Sequence, residues 1–246
     1  MNLTHHSEPE TLATRRYVEP LEGHALWAAT YDGNPNPILA LEERTLKPLL
    51  PDLKNKLALD LACGTGRWFD ILLRQGAASV VGVDFCAPML ERAATKRGIR
   101  GSLVRADCQA LPIRSGAVDF ALCSLALGYM TDVSSFAGGL AEVLRPGTRV
   151  FLSDLHPSAY DRGWNRSFRL GDDVVEIFSH CHPIEHICQV LEEHGFELLS
   201  LIEPGFDEPE REIFRNCGKA HLFDAVSGMP AIWVAQFSRL FPSGAE

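Results

Sequence analysis

The chain has 246 residues, 46% of them hydrophobic, and carries a formal net charge of −9 at neutral pH. This length suits one α/β domain with additions, and the apolar content excludes a mainly disordered chain. The negative charge argues against nonspecific binding to nucleic acid or anionic membranes. No apolar run is long enough to span a bilayer, and residues 1–20 lack the apolar centre of a secretory signal, so we predict a cytoplasmic protein.

The cysteines are odd in number, and no two of them have the C-x-x-C spacing of redox or zinc motifs. Without an export signal, we expect reduced and mostly buried thiols rather than disulfides. The seven positions are Cys63, Cys86, Cys108, Cys123, Cys181, Cys188 and Cys217.

Along the chain, residues 1–20 are expected to form a loose arm and residues 21–50 an interrupted helical segment, broken at Asn34-Pro-Asn-Pro37. Strands and helices then alternate, which predicts a mostly parallel sheet with helices on both faces. The predicted elements are strand 57–62, helix 66–75, strand 79–84, helix 88–97, strand 102–106, strand 118–124, helix 134–144 and strand 148–153.

The C-terminal part departs from this alternation at residues 155–182. Within them, the sequence around Gly171-Asp172-Asp173 predicts a β-hairpin. A helix from Pro183 to about His194, strand 196–202, a mixed helical segment at 205–228 and a last strand at 231–237 are expected to follow.

The most informative stretch is Leu57 to Gly66, where a buried strand breaks at a glycine turn and opens a helix. Glycines let backbone N–H groups approach a ligand closely, and a helix N-terminus adds positive potential. Asp84, Asp107 and Ser124 each follow later strands. Because ligands bind at the carboxyl ends of parallel strands, these positions predict a nucleoside site at one sheet edge.

These motifs together resemble the class I S-adenosylmethionine-dependent methyltransferases, of the small-molecule type found in quinone biosynthesis. The stretches that carry the resemblance are Asp60-Leu-Ala-Cys-Gly-Thr-Gly66, Val83-Asp84-Phe-Cys-Ala-Pro-Met89-Leu, Ala106-Asp107-Cys-Gln-Ala-Leu-Pro112, Val118-Asp119-Phe120, Leu144-Arg-Pro-Gly147 and Gly195-Phe196. The resemblance implies a Rossmann-like seven-stranded sheet with an antiparallel last strand, in a single domain over residues 1–246. It also implies S-adenosylmethionine as cofactor.

The resemblance also implies roles for individual residues. Asp84 would accept the ribose hydroxyls, Asp107 the adenine amino group, and Asp60 would meet the methionine amino group. Ala62 stands where the family often has glycine, and we expect its methyl group to be tolerated because the residue stays extended. The implied cofactor-binding set is Tyr31, Asp60, Ala62, Cys63, Gly64, Gly66, Asp84, Phe85, Met89, Asp107, Cys108, Ser124 and Leu125.

Catalysis of methyl transfer needs a base only if the acceptor must lose a proton. His156, just past strand 148–153, is the candidate base, with capping of a turn before Pro157 as the alternative. Tyr129 is expected to line the acceptor pocket or to pack. The resemblance implies that the arm and helical lid of residues 1–50 fold over the cofactor and that the hairpin of 155–182 lies over the acceptor. Trp27, Tyr160 and Trp164 would form an aromatic lid there or pack in the core.

No metal is predicted, although His180-Cys-His182 and His186-Ile-Cys188 lie close together in sequence. On a helix, His182 and His186 point away from the apolar stripe that contains Cys188, so one ion would not be shared by all of them.

The sequence therefore predicts methyl transfer to O, N or C of a small molecule. The alternatives are an RNA or protein methyltransferase, or a cofactor-binding protein without transfer. The acceptor and the oligomeric state stay open.

Overall fold

The structure is a computed structural model that describes residues 14–96 and 102–241. Its larger sheet has seven strands in the order β4-β3-β2-β5-β6-β10-β9. These are β2 (Leu57–Leu61), β3 (Ser79–Asp84), β4 (Leu103–Arg105), β5 (Val118–Ser124), β6 (Leu144–Leu155), β9 (Phe196–Ile202) and β10 (Ile232–Arg239). The pairs from β4 to β6 are parallel, and β10 is antiparallel to both of its neighbours. The predicted sheet and its antiparallel last strand are confirmed.

Helices cover both faces of this sheet, as the alternation predicted. They are α1 (Pro20–Trp27), α2 (Pro37–Leu46), α3 (Phe69–Arg74), α4 (Ala87–Thr95), α5 (Val133–Val143), α6 (Pro157–Asp161), α7 (Ile184–Glu193), α8 (Glu208–Asn216) and α9 (Phe223–Val226). One apolar core joins the sheet to α5 and α7, and a second joins it to α2, α3 and α8. Because β2 and β5 are buried on both faces, their sequences are almost continuously apolar.

A second, three-stranded sheet corrects the expectation of a loose N-terminal arm. Strand β1 (Arg15–Val18) pairs in parallel with β8 (Asp173–Ile177), and β8 pairs with β7 (Arg166–Leu170) in the predicted hairpin. Burial of Val18 against Phe168, Val175 and Ile177 holds β1 in place. Local sequence could not reveal this strand, because its partner lies about 160 residues away. Residues 1–13 lie outside the described part.

The sixth strand starts earlier than predicted, whereas the cysteines agree with the expectation. β6 begins at Leu144, before the predicted strand 148–153, and the pairing register with β5 shifts near this point. All seven cysteines are free, and Cys63, Cys86, Cys108 and Cys123 are buried, as expected. Within residues 14–96 and 102–241, no helix has both the length and the apolar character needed to cross a bilayer.

Gly82 in β3 gives a direct test of the packing beneath the glycine turn. A Cβ at this position would lie 2.6 Å from the Phe69 ring and 2.8 Å from Cys63 Sγ. We expect Gly82→Ala to lower the free energy of unfolding by about 1–3 kcal/mol through overpacking. Gly139→Ala is the control: its Cβ would meet nothing nearer than 3.7 Å, and alanine should stabilise α5 by about 0.5–1 kcal/mol. Urea unfolding measures both variants, and equal effects would contradict the packing described.

Candidate active site

The turn after β2 bounds an open space at the carboxyl edge of the larger sheet. It has positive φ angles at Ala62 (51°), Gly64 (54°) and Gly66 (75°), and an added Cβ on Gly64 would meet nothing within 4 Å. The Cys63 N–H donates to the Val83 carbonyl over 3.0 Å, which fixes the turn against β3. The half-buried Gly64 therefore presents backbone that a ligand can approach.

Ala62 departs from the expected extended conformation. Its φ of 51° lies in the left-handed region, where a Cβ costs an L-residue about 1–2 kcal/mol. The expectation was wrong because the turn already begins at Ala62, and an extended residue there would delay it by one position. The site therefore has backbone strain at the position where the related family often has glycine.

Asp84 ties the turn to the end of β3. Its Oδ2 accepts the Gly64 N–H over 2.7 Å and its Oδ1 accepts the Cys86 N–H over 2.8 Å. The side chain is almost fully buried, and burial raises its pKa while the two N–H bonds oppose that rise. Each oxygen keeps a further lone pair, so Asp84 can still accept hydrogen bonds from a ligand.

The end of β4 lies beside the end of β3, as predicted. The Ala106 N–H donates to the Asp84 carbonyl over 3.1 Å, and Asp107, which follows, is exposed and accepts the Gln109 N–H over 2.9 Å. Burial raises the pKa of the Cys108 thiol to about 12, while a hydrogen bond from the backbone of Ala62 opposes the rise. Asp84 and Asp107 therefore share one sheet edge.

Two apolar side chains near these acids have different surroundings. Phe85 is 53% exposed, which leaves its ring free to contact a flat ligand. Met89 is buried and packs in a cluster with Ala28, Trp27 and Tyr31 of the N-terminal segment. The same segment reaches the glycine turn, because the Thr65 hydroxyl donates to Asp32 over 2.6 Å.

A buried polar cluster that the sequence did not predict joins four chain segments. Glu42 of α2 is fully buried and forms an ion pair with Arg67, which follows the glycine turn. The Ser124 hydroxyl at the end of β5 donates to Glu42 over 2.6 Å and accepts from Arg67 over 2.9 Å. Ser153 of β6 also donates to Glu42. The sequence does carry a signal for Glu42. It lies four residues after Ile38 and four before Leu46, so it is an acid on the apolar face of a predicted helix.

Apart from the indole N–H groups of Trp27 and Trp68 and Nε of Arg166, two buried side-chain atoms have no hydrogen-bond partner among the described residues. They are Oδ2 of Asp60 and Nη1 of Arg67. Burial raises the pKa of Asp60 to about 8, and the nearby Arg67 opposes that rise. Buried polar atoms are rarely left unpaired, so this acceptor and this donor are available to a bound ligand.

Arg166 of β7 contacts a second set of residues near the end of β5. It forms a buried ion pair with Asp154, donates to the Leu125 carbonyl over 2.6 Å and lies 4.5 Å above the ring of Tyr129. Leu125 has a positive φ of 54°. Arg166 was not predicted, although alternation in the hairpin places it on the same face as the buried Phe168.

His156, the predicted base, uses both ring nitrogens. Its Nδ1 accepts the Ser158 N–H over 3.1 Å at the start of α6, and its Nε2 lies 2.8 Å from Glu203. With one nitrogen accepting and the other donating, no lone pair is left for an acceptor's proton. The geometry favours the capping alternative.

The other predicted acceptor residues fall into separate groups. Trp27 stacks on Phe168 at 5.0 Å, whereas Trp164 stacks on Phe206 at 5.7 Å in a different apolar core. Tyr160 donates to the His180 carbonyl over 3.3 Å. Within the described ranges, no group of three or more His, Cys, Asp or Glu side chains could hold a metal.

Comparison with known proteins agrees with this geometry. Residues 59–152, from β2 to β6, match a family model described as a methyltransferase domain. The chain carries a methyltransferase domain. In the structure, this domain contains the glycine turn, Asp84, Asp107 and the end of β5, which confirms the resemblance stated from the motifs.

Relatives of the methyltransferase domain come from several bacteria. The "Biotin biosynthesis bifunctional protein BioHC" of Cellvibrio japonicus is 30% identical over 199 residues, which are 79% of this chain and 38% of the relative. The "Demethylmenaquinone methyltransferase" of Thermus thermophilus is 37% identical over 107 residues, 42% of this chain and 48% of the relative. The chain thus spans less than half the length of either relative.

A solved structure shares the fold of the whole domain. The S-adenosylmethionine-dependent methyltransferase of Mesorhizobium loti superposes with a TM-score of 0.64 at 22% identity, covering 83% of this chain and all of that one. At this identity the likeness concerns the fold.

Ala62 gives a test of the strained turn. We expect Ala62→Gly to raise the free energy of unfolding by up to about 1 kcal/mol, because relief of the left-handed strain outweighs the extra freedom of glycine in the unfolded chain. Gly64→Ala, at a φ of 54°, should have the opposite sign. Thermal and urea unfolding measure both variants. Destabilisation by Ala62→Gly would show that Ala62 is not strained.

Proposed function

We propose that this chain is an S-adenosylmethionine-dependent methyltransferase that acts on a small organic molecule. The observation that carries the proposal is the unpartnered pair beside the glycine turn, Asp60 Oδ2 and Arg67 Nη1. A buried carboxylate oxygen suits an ammonium group, and a buried guanidinium N–H suits a carboxylate. An amino acid zwitterion carries both groups, and S-adenosylmethionine ends in one.

The remaining residues suit the rest of that molecule. Asp84 would accept the ribose hydroxyls through its free lone pairs, and Asp107, beside it, would accept the adenine amino group. The exposed Phe85 offers a surface for the adenine ring. Glu42 and Arg67 would hold the methionine end between the glycine turn and Ser124.

When bound, S-adenosylmethionine supplies a methyl group that is already activated on a sulfonium. The chain's own contribution is then to orient the acceptor, to exclude water and to move a proton where one must leave. The N-terminal segment is suited to excluding water, because Asp32 binds Thr65 and Trp27 packs against Phe168.

A small-molecule acceptor is supported by the acidic net charge and by the two relatives, one named for biotin biosynthesis and the other a demethylmenaquinone methyltransferase. An RNA methyltransferase would need a basic surface, and the chain has 23 Lys and Arg against 32 Asp and Glu. We also propose a cytoplasmic location, because seven free thiols suit a reducing compartment.

Asp84 is the first residue to test. We expect Asp84→Asn to weaken binding of S-adenosylhomocysteine tenfold or more, about 1.4 kcal/mol, because the carboxylate that meets the ribose is lost. Asp119→Asn is the matched control: Asp119 pairs with Arg145 and accepts the Leu57 N–H at the opposite edge of the sheet. Titration calorimetry measures both. If the wild-type chain binds neither the donor nor its demethylated product, the proposal fails.

The raised pKa of Asp60 predicts that ligand binding releases a proton. With its pKa at about 8, the carboxyl is mostly protonated at pH 7, and an incoming ammonium group favours the charged form. Binding should therefore release close to one proton at pH 7 and strengthen as the pH rises from 6 to 8.

Calorimetry of S-adenosylhomocysteine binding at pH 7 in phosphate and in Tris measures this release, because the two buffers differ in ionisation enthalpy. The release should disappear in Asp60→Asn, which cannot titrate. Equal heats in both buffers for the wild-type chain would show that Asp60 does not receive the ammonium group.

A further inference from the structure

His24 of α1 has one engaged ring nitrogen and one with no partner. Its Nδ1 lies 2.7 Å from the Pro20 carbonyl, which must accept, so Nδ1 carries the proton and Nε2 keeps a lone pair. Within residues 14–96 and 102–241, no hydrogen bond uses Nε2. The side chain is half-buried, and neither the resemblance nor the sequence pattern pointed to it.

The bond to a carbonyl one turn earlier is not in itself a sign of function. His194 of α7 makes the same bond, from Nδ1 to the Val190 carbonyl over 2.8 Å, and its Nε2 lies 3.4 Å from the hydroxyl of Ser134. His24 differs from His194 in the surroundings of its free Nε2.

His24 lies among the residues that border the proposed acceptor site. Its ring meets the edge of Tyr129 at a centroid distance of 4.7 Å, and Arg166 lies over the same Tyr129 ring. Arg166 in turn binds the carbonyl of Leu125, the strained residue at the end of β5. Three direct contacts therefore join His24 to the strand end where the methyl group would be presented.

The face of α1 that carries His24 continues with aromatic side chains. Trp27 follows His24 at i+3 on α1, and its ring meets that of Tyr31, just past the end of the helix, at a centroid distance of 4.7 Å. The indole N–H of Trp27 is buried and has no partner among the described residues. This face therefore offers flat apolar walls, one unpaired donor and one unpaired acceptor to a bound molecule.

Three other candidate bases, Tyr129, Asp84 and His156, are unsuited to taking the acceptor's proton. Burial raises the pKa of Tyr129 to about 12, so its phenol stays protonated. Asp84 is held by the N–H groups of Gly64 and Cys86, and both nitrogens of His156 are engaged. The remaining lone pairs of Asp84 are assigned to the ribose of the cofactor, so His24 alone among these offers a lone pair that has no other partner in the proposed function.

We propose that His24 Nε2 is the general base of the reaction and that the acceptor is a flat molecule whose nucleophilic atom carries a proton at neutral pH. This inference rests on the proposed function. Nε2 takes the acceptor's proton, the freed electron pair forms the bond to the methyl carbon, and the carbon–sulfur pair stays on sulfur. The imidazolium then gives the proton to solvent.

Burial favours the neutral imidazole and lowers the pKa of His24 below its usual value. Arg166 lowers it further, whereas the bond to Pro20 and the charge of Asp84 oppose the change. His24 is thus ready to accept a proton at pH 7. The rate with a protonated acceptor should rise with pH below about 6.5 and stay level above it.

Two probes of the same shape test the proposal: 2-naphthol, which is un-ionised at neutral pH, and 2-naphthalenethiol, which is largely ionised. Under single-turnover conditions we expect the wild-type chain to methylate both. His24→Gln should slow methylation of the naphthol about 100-fold or more and leave that of the thiol within threefold, because only the naphthol needs a base.

Matched controls are His156→Gln and His194→Gln, which should change neither rate more than twofold. Binding of S-adenosylhomocysteine and thermal unfolding show whether His24→Gln keeps its fold. Independently of turnover, nitrogen-15 NMR should show His24 in the Nδ1–H form with a pKa below 6.5, and added 2-naphthol should shift its Nε2 resonance. In the wild-type chain, the acid limb of the naphthol profile should follow the pKa that NMR gives for His24.

Each other outcome overturns the inference. Equal losses with both probes in His24→Gln would give His24 a structural role, and no loss with either would exclude it as the base. A wild-type chain that binds S-adenosylhomocysteine yet methylates only the thiol, or neither probe, contradicts the base or the acceptor class. Absence of cofactor binding would instead refute the proposed function.

Discussion

The buried ion pair between Glu42 and Arg67 is the interaction on which the site depends. It joins α2 to the glycine turn, and the hydroxyls of Ser124 and Ser153 add the ends of β5 and β6. Removing one partner of such a pair leaves a buried charge, at a cost of about 3–5 kcal/mol. Glu42 binds Nη2 of Arg67, and Nη1 has no partner among the described residues. In the proposed function, Nη1 binds the carboxylate of the ligand.

Backbone strain is concentrated at the same sheet edge. Ala62 and Leu125 both have positive φ, and hydrogen bonds hold each of them: Cys63 to Val83 beside the first, Ser153 and Arg166 around the second. Strained residues persist where the surrounding structure fixes them, and they are frequent at functional sites. Ala62 directly follows β2 and Leu125 directly follows β5, so both strained positions lie at the carboxyl edge of the sheet with the glycine turn.

Much of the fold and half of the site could be predicted from sequence. The alternation of buried strands and helices determines the large sheet, and the positions after strand ends place Asp84, Asp107 and Ser124 together, because parallel strands end at one edge. Glu42, Arg166 and His24 lie on elements whose packing is long-range: α2, the hairpin and α1 reach the sheet through tertiary contacts alone. Strand β1 was missed for the same reason, and His156 was chosen by its place after β6, which does not reveal that both its nitrogens are engaged.

A crystal structure with bound S-adenosylhomocysteine would show which residues hold the methionine end of the ligand. We expect its ammonium group to lie within hydrogen-bond distance of Asp60 Oδ2 and its carboxylate to accept from Arg67 Nη1. A ligand whose methionine end lies elsewhere, with these two atoms still unpaired, would contradict this expectation.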